Sequence, residues 1–492
     1  MLMRIEDLFE KRERAIYLLV EHLRDSRSSL SLKEISQRLQ LSRTTLSRYI
    51  ESFDEEARQS KLGLSLTIKE EEVSHQRTDT LLHTEWLAYL CQFSTKYQIL
   101  LYLFEKEEFA IQALAQHLLI SEASLNRQLA ALNHLLQDFQ MSIRNGRLKG
   151  SELQIRYFYY QLFLQTKTLS SLKNETTFRQ SATYLPLFER FFDTTFNSRQ
   201  ALQLSLWLGI SQRRMRAQDV DFQELVQLMK PYMEQKWYQK LRAFSLTLYQ
   251  YQPSTVREGE VMSLFAFLVS QTILAPQQIE RMLAFGGPIR EATTGCYQTI
   301  RTEVGHPLPI HETILYYLNQ LLGRVYFFKG SLDLPLMQEN SYFLANARSL
   351  LSTVLERFYQ PHVASLVFQR EEEVACLAEL FSYLSQVQPV VVRIGFLTYQ
   401  SPILAEPMLR QLQRKFERTY AVVIEPYIAS NDYDLLIADE PVSVETPLYS
   451  FHKRLYASDF LALKEKIAHL EEQKQKCAHR ILETSSFSME RR

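Results

Sequence analysis

Glycine is scarce in this chain, at 12 of 492 residues, against an average usage of about 7%. Glycine mostly serves turns and backbone geometries closed to other residues, so its scarcity argues against a turn-dense fold and for a mainly helical one. Cysteine is nearly absent as well. Cys91, Cys296, Cys376 and Cys477 lie far apart and form no CxxC pair, which excludes a disulfide framework or a zinc ribbon and leaves them as core residues. The longest apolar stretch, near Val261 to Ala275, is interrupted by Ser263, Ser270 and Gln271. That is short of the ~20 apolar residues of a membrane span. The charged N terminus lacks the apolar core of a signal peptide. A soluble, cytoplasmic protein without a membrane partner is the expectation.

Two further absences narrow the function. With 56 basic and 56 acidic residues the net charge is zero, so a nucleic-acid footprint has to be local. There is no GxxxxGK[ST], no GxGxxG opening a helix and no HExxH. No enzyme activity and no cofactor are expected. At ~100–200 residues per domain, the length calls for three or four domains.

What the sequence does contain is a repeat. LSLKEISQRLQLSRTTLSRYIESF begins at Leu30, and FAIQALAQHLLISEASLNRQLAAL begins at Phe109. A shift of 79 positions superimposes their apolar patterns. Ile35 meets Leu114, Leu41 meets Ile120, Leu46 meets Leu125 and Ile50 meets Leu129, while Ser42 and Arg48 fall unchanged on Ser121 and Arg127. Ile35 and Leu39 share one face of a short helix; Leu46, Ile50 and Phe53 form the stripe of a second. Ser42 and Ser121 are N-caps for the second helix, and Ser36 or Ala115 sits where the helices approach. This spacing predicts a helix-turn-helix in each copy. Alternating strands follow both, from Leu62 to Ile68 and from Met141 to Leu148, the latter with the hairpin pair Asn145-Gly146. Each unit therefore reads as a winged helix-turn-helix.

The open face of the first recognition helix carries Arg43, Thr44, Ser47 and Arg48, with Ser42 at the cap and Thr45 at the edge. From Arg27 to Ile50 there are five basic residues and one acidic, the local footprint that bulk charge hides. Arginine pairs with guanine, and hydroxyls bond bases or phosphates. The matching face of the second unit carries Ser121, Glu122, Ser124, Asn126 and Arg127, and its wing adds Arg144, Arg147 and Lys149, suited to phosphate or minor-groove contact. Because Glu122 replaces Arg43, the first helix reads as the stronger of the two. Double-stranded DNA is the expected partner.

From about Leu153 to Gln388 the chain is helical and aromatic-rich, with breaks near Gln252-Pro253, Gly286-Gly287-Pro288 and Gly305-His306-Pro307. After Pro389 the texture changes to β-branched runs: Val390 to Leu397, then a helical pattern from Ile403 to Phe416, then Ala421 to Ile424 and Asp434 to Ala438. This alternation predicts a small α/β domain with a parallel sheet. The loop Thr398 to Pro402 leads into a helix N terminus able to bind an anion, but holds no cysteine or histidine nucleophile. The expected architecture is mainly α and multidomain: winged units over 1–75 and 76–160, helical domains over 161–280 and 281–388, and an α/β domain over 389–492.

The order of parts resembles the Mga/AtxA group of Gram-positive virulence regulators. The most specific local element is Leu148-Lys149-Gly150-Ser151-Glu152-Leu153-Gln154-Ile155-Arg156, similar to the L-x-G-x-E-x-x-x-R segment joining wing to helix in that group. Gly150 permits a sharp exit, and Glu152 and Arg156 are spaced to pair on a helix. The resemblance implies two PTS-regulation domains, a C-terminal domain similar to phosphotransferase enzyme IIB, and a DNA-binding activator that works as a homodimer or larger oligomer. It also implies regulation through histidine phosphorylation by phosphotransferase-system proteins. The sequence departs from that pattern. No histidine lies between Leu136 and Gly305, which leaves His306, His311 and His362 as possible phosphosites. None of the three has a carboxylate or cysteine at metal-ligand spacing, so no metal site is expected. The enzyme IIB-like loop lacks a phosphorylatable cysteine, which favours an oligomerisation or docking role. Alternatives are an RNA-binding antiterminator, disfavoured by the helical N-terminal repeat, and a regulatory scaffold that does not bind DNA.

Overall fold

The computed structural model describes residues 3–474 apart from 26–29, 79, 218–219, 249–253, 284–285, 305–310, 333–340, 360–369, 388–390, 417–421, 440–445, 452–453, 468 and 471–473. Among the expected features, His306, His362, Cys477 and the Gln252-Pro253 break lie outside the described residues, as does the side chain of His311. The described chain is mainly helical, and it divides into two compact units. The first comprises Met1–Glu339 and Leu344–Ala378, the second Asn340–Phe343 and Glu379–Arg492.

The first unit begins with α1 (Lys11–Asp25), β1 (Leu30–Ser31), α2 (Leu32–Arg38), α3 (Arg43–Gln59), β2 (Leu64–Lys69) and β3 (Glu72–Arg77). The strands form an antiparallel sheet in the order β1-β3-β2. After α4 (His83–Cys91) the same plan recurs in α5 (Thr95–Lys106), α6 (Ile111–His117), α7 (Glu122–Leu136) and the hairpin β4 (Ser142–Arg144) and β5 (Arg147–Lys149). A 79-residue shift carries Leu32 and Arg38, the ends of α2, onto Ile111 and His117, the ends of α6, and the start of α3 onto that of α7. Even the short β1 has a counterpart, a single bridge between Glu108 and Arg147.

Next comes α8 (Glu152–Thr166), with 12 of its 15 residues buried. A helix covered on every side is a central strut rather than a surface element, and Tyr157, Phe158, Tyr159 and Tyr160 fill its surroundings. It is followed by α9 (Leu169–Asn174), α10 (Thr176–Ala182), α11 (Leu185–Phe192), α12 (Ser198–Arg214), α13 (Gln223–Met229), α14 (Lys236–Leu248), α15 (Ser254–Ser270), α16 (Pro276–Leu283), α17 (Pro288–Val304) and α18 (His311–Phe327). Then follow α19 (Ser341–Phe358) and α20 (Glu371–Val387). Trp207 of α12 stacks on Phe267 of α15 at 4.3 Å between ring centroids, part of an aromatic core continuous with Tyr160.

In the second unit β6 (Val392–Leu397), α21 (Pro402–Phe416), β7 (Val422–Pro426), β8 (Leu435–Ala438) and β9 (Leu448–Ser450) build an all-parallel sheet in the order β7-β6-β8-β9. Ile394, Ile424, Ile437, Leu412 and Leu463 form its core. The strand β9 carries too little β-branched sequence to announce itself. In the loop after β6, ahead of the helix N terminus at Pro402, two donors are engaged within the unit. The Asp439 carboxylate accepts from Thr398 Oγ1 at 2.5 Å and from the Tyr399 amide at 3.3 Å. These donors are consumed by an internal carboxylate, which the sequence separates from them by some forty residues.

Among the described residues, no helix is long and apolar enough to cross a membrane, and no group of three or more His, Cys, Asp or Glu is placed to hold a metal ion. Cys91 and Cys296 are buried thiols that form no disulfide. Burial drives the Cys91 thiol far up from its ordinary range and that of Cys376 up to about 11, so both stay protonated.

Candidate nucleic-acid interface

Both helix-turn-helix units close in the same way. The turn residue Gln40 adopts φ 54°, and Leu119 adopts φ 55°. The amide three residues past the helix then donates back, Leu41 N to Ser36 O and Ile120 N to Ala115 O, each at 3.0 Å. Ser36 and Ala115 are buried, as the close helix approach requires. Ser42 Oγ caps α3 by accepting from Thr45 N at 3.1 Å, and Ser121 Oγ caps α7 by accepting from Ser124 N at 3.2 Å. Ile35, Leu46 and Ile50 are buried in one unit and Leu114, Leu125 and Leu129 in the other.

The wings are clasped to the recognition helices by one equivalent position. Asp54 of α3 accepts from the Leu66 amide at 3.1 Å. Asn133 of α7 accepts from the Ile143 amide and donates to the Ile143 carbonyl. The 79-residue shift pairs these two residues, a signal present in the sequence that the apolar pattern alone did not expose.

Charge separates the two wings. Arg144 pairs with Arg147 across the second hairpin, and Asn145 and Gly146 turn with φ 53° and 71°, the geometry Asn-Gly favours. A Cβ on Gly146 would lie 2.0 Å from the carbonyl oxygen of Phe109. The first hairpin turns at Glu70 and Glu71, with φ 50° and 66°, between Lys69 and Glu72. Two non-glycine residues thus hold a strained conformation, and the first wing presents three carboxylates where the second presents two guanidiniums.

These wings alter the standing of individual residues. Arg43 is exposed, but its Nη1 lies 3.4 Å from Glu71 Oε1. The hydroxyls of Thr44 and Thr45 lie 3.2 and 2.8 Å from Ser42 Oγ, so these three belong to the cap. Ser47 is half-buried, and exposed Arg48 leans on the neighbouring Tyr49 ring. In the second unit Asn126 and Arg127 are exposed on α7, Ser124 is half-buried, and Arg144 and Lys149 are exposed on the wing. Arg147 donates from Nε to Glu108 Oε2 at 2.6 Å and so braces the wing. Arg43 is thus paired with the acidic wing of its own unit, while Arg48, Arg127 and Arg144 make no ion pair with another described residue.

The exit from the second wing is built on charge. Gly150 takes φ 154°, and a Cβ there would lie 2.9 Å from Met141 Cγ. Arg156 Nε then donates to Glu152 Oε1 at 2.9 Å, the pair expected from spacing. Two partners come from distant sequence. Arg156 clamps Glu260 with both terminal nitrogens, at 2.7 and 2.6 Å, and Arg214 clamps Glu152 at 3.1 and 2.8 Å. Two positive and two negative groups are thus sealed in the interior. Burial raises the Glu260 carboxyl above its ordinary range, against the pull of Arg156. Burial also works against the charge on Arg214, and the Glu152 carboxylate outweighs it. Four-residue spacing betrays a helical pair, but nothing local in the sequence links Arg156 to Glu260.

Residues 79–163 match the family model described as the Mga helix-turn-helix domain. The match spans α4, the second helix-turn-helix, its basic wing and most of α8. It supports a DNA-binding role in transcription regulation for this part of the chain. No curated protein matches the chain.

Proposed function

We propose that this protein is a transcription regulator that grips double-stranded DNA chiefly through its second winged helix-turn-helix. The observation that carries the reading is the coincidence of the matched segment, residues 79–163, with the unit whose recognition helix exposes Asn126 and Arg127 and whose wing exposes Arg144. Asparagine and arginine on a recognition helix suit adenine and guanine edges. A basic wing suits phosphate or the minor groove. The experiment is duplex selection from fragmented genomic DNA, followed by anisotropy titrations across salt. Arg127→Ala with Arg144→Ala is expected to abolish selective binding and to lower the salt slope by roughly one for each lost phosphate contact. Arg43→Ala with Arg48→Ala is expected to cost less. Equal binding by all variants would sink the reading.

The acidic tip at Glu70, Glu71 and Glu72 favours a second role for the first unit, as a support or protein contact. In the wider reading the helical region is PRD-like, the parallel-sheet unit is enzyme IIB-like, and the chain acts as a homodimer or larger oligomer and as an activator. Phosphotransferase-system proteins are the proposed modulators. The Asp439 contacts with Thr398 and Tyr399 support a docking role for the parallel-sheet unit over phosphate carriage. His311, the first residue of α18, is the position to follow by phosphate labelling, together with His306 and His362.

A further inference from the structure

A cavity of about 430 Å³ opens beside α10, α11 and α12 in the first unit. Its volume falls within the ~300–1,000 Å³ of small-molecule sites. Phe178 forms one wall. It is seated on Gly209 of α12, where a Cβ would lie 2.4 Å from the ring. Leu202 and Leu206 continue the apolar lining. Among the described residues no acidic side chain lines the cavity, and the one charged side chain that does is Arg179. Arg179 is exposed, and its side chain makes no hydrogen bond or ion pair with another described residue.

This lining selects by chemistry. A cation would face Arg179 without a counter-charge. A sugar or sugar phosphate would set hydroxyls against hydrocarbon, where unmade hydrogen bonds are costly. A molecule with an aliphatic tail and one anionic head meets both features: the tail leaves water against Phe178, Leu202 and Leu206, and the head takes charge-assisted hydrogen bonds from the guanidinium. We propose that the cavity binds a medium-chain aliphatic carboxylate, with its carboxylate on Arg179.

The site adjoins the second DNA-binding unit through one helix. Ala201 and Leu202, near the start of α12, line the cavity. At the other end of α12, Arg213 donates to the Phe104 carbonyl of α5 at 3.2 Å and Arg214 clamps Glu152. An occupant therefore rests on the helix that buttresses the second unit.

The test is calorimetric titration of the full chain with decanoate below its aggregation concentration. Saturable one-to-one binding is expected. Arg179→Gln should weaken it about ten-fold, while decanol, which lacks the charge, should bind the native chain and this variant alike. Ala201→Trp should fill the cavity and abolish uptake; if it does not fold, the Arg179→Gln and decanol comparison decides alone. Absence of saturable binding overturns the proposal, as does equal decanoate affinity in Arg179→Gln or unimpaired uptake by folded Ala201→Trp. If a second copy of the chain covers the groove instead, decanoate will dissociate oligomers in sedimentation, and that result also overturns it.

Discussion

Arg43 Nη1 rests 3.4 Å from Glu71 Oε1, so the leading cation of the first recognition helix is held by the tip of its own wing. Both side chains are exposed, at 47% and 70%, and such pairs are worth about 0–1 kcal/mol. The contact is weak enough for a phosphate to displace, yet it places a carboxylate where DNA would lie. Glu71→Gln should therefore strengthen duplex binding about two- to five-fold at low salt, with the gain fading as salt rises. Anisotropy titration reads this directly. No change at any salt would mean that Arg43 does not face the duplex.

The second wing depends on Gly146. Its positive φ and the Phe109 carbonyl 2.0 Å from any added Cβ leave no room for a side chain. Gly146→Val should unseat the hairpin, costing at least ~1–3 kcal/mol of strain, and should lower DNA affinity more than it lowers the melting temperature. Asn145→Gly, which keeps the turn geometry, should leave both nearly unchanged.

Glu260 neutralises Arg156 in a site where both side chains are sealed from solvent. Glu260→Gln leaves a buried guanidinium short of its carboxylate, and breaking such a pair costs ~3–5 kcal/mol. Denaturant unfolding followed by circular dichroism should show that loss. The double change Glu260→Gln with Arg156→Met removes the stranded charge as well and should recover part of it.

Acid sensitivity should arise at the contact between α1 and α3. The hydrogen bond from Arg12 holds the Glu56 carboxyl below its ordinary value of 4.5. The unfolded chain therefore takes up a proton there at higher pH than the native one does. The pair's contribution is fully present above about 4.5 and is lost as pH falls through the lower native value. Glu56→Gln should flatten the acid limb of the stability curve below pH 4.5 and leave the neutral region with only a small loss, since both partners are partly exposed.

The sequence alone carried the local architecture. The 79-residue shift predicted both helix-turn-helix units because helical caps, apolar stripes and turn residues act over a few positions, and Ser42, Ser121 and Asn145-Gly146 do what their chemistry dictates. The parallel sheet was legible in its β-branched runs, apart from short β9. The Glu152–Arg156 pair was legible because four residues make one helical turn. The sequence could not show which charges are spoken for. Arg43 meets Glu71, Arg147 meets Glu108, Arg156 meets Glu260 and Thr398 meets Asp439 across gaps of 28 to 104 residues. A charge or hydroxyl responds to whatever lies within a few ångströms of it, and only the folded chain decides that neighbour. Patterns of apolar residues therefore determined the two helix-turn-helix units, and tertiary contacts decided which partner each of these arginines meets.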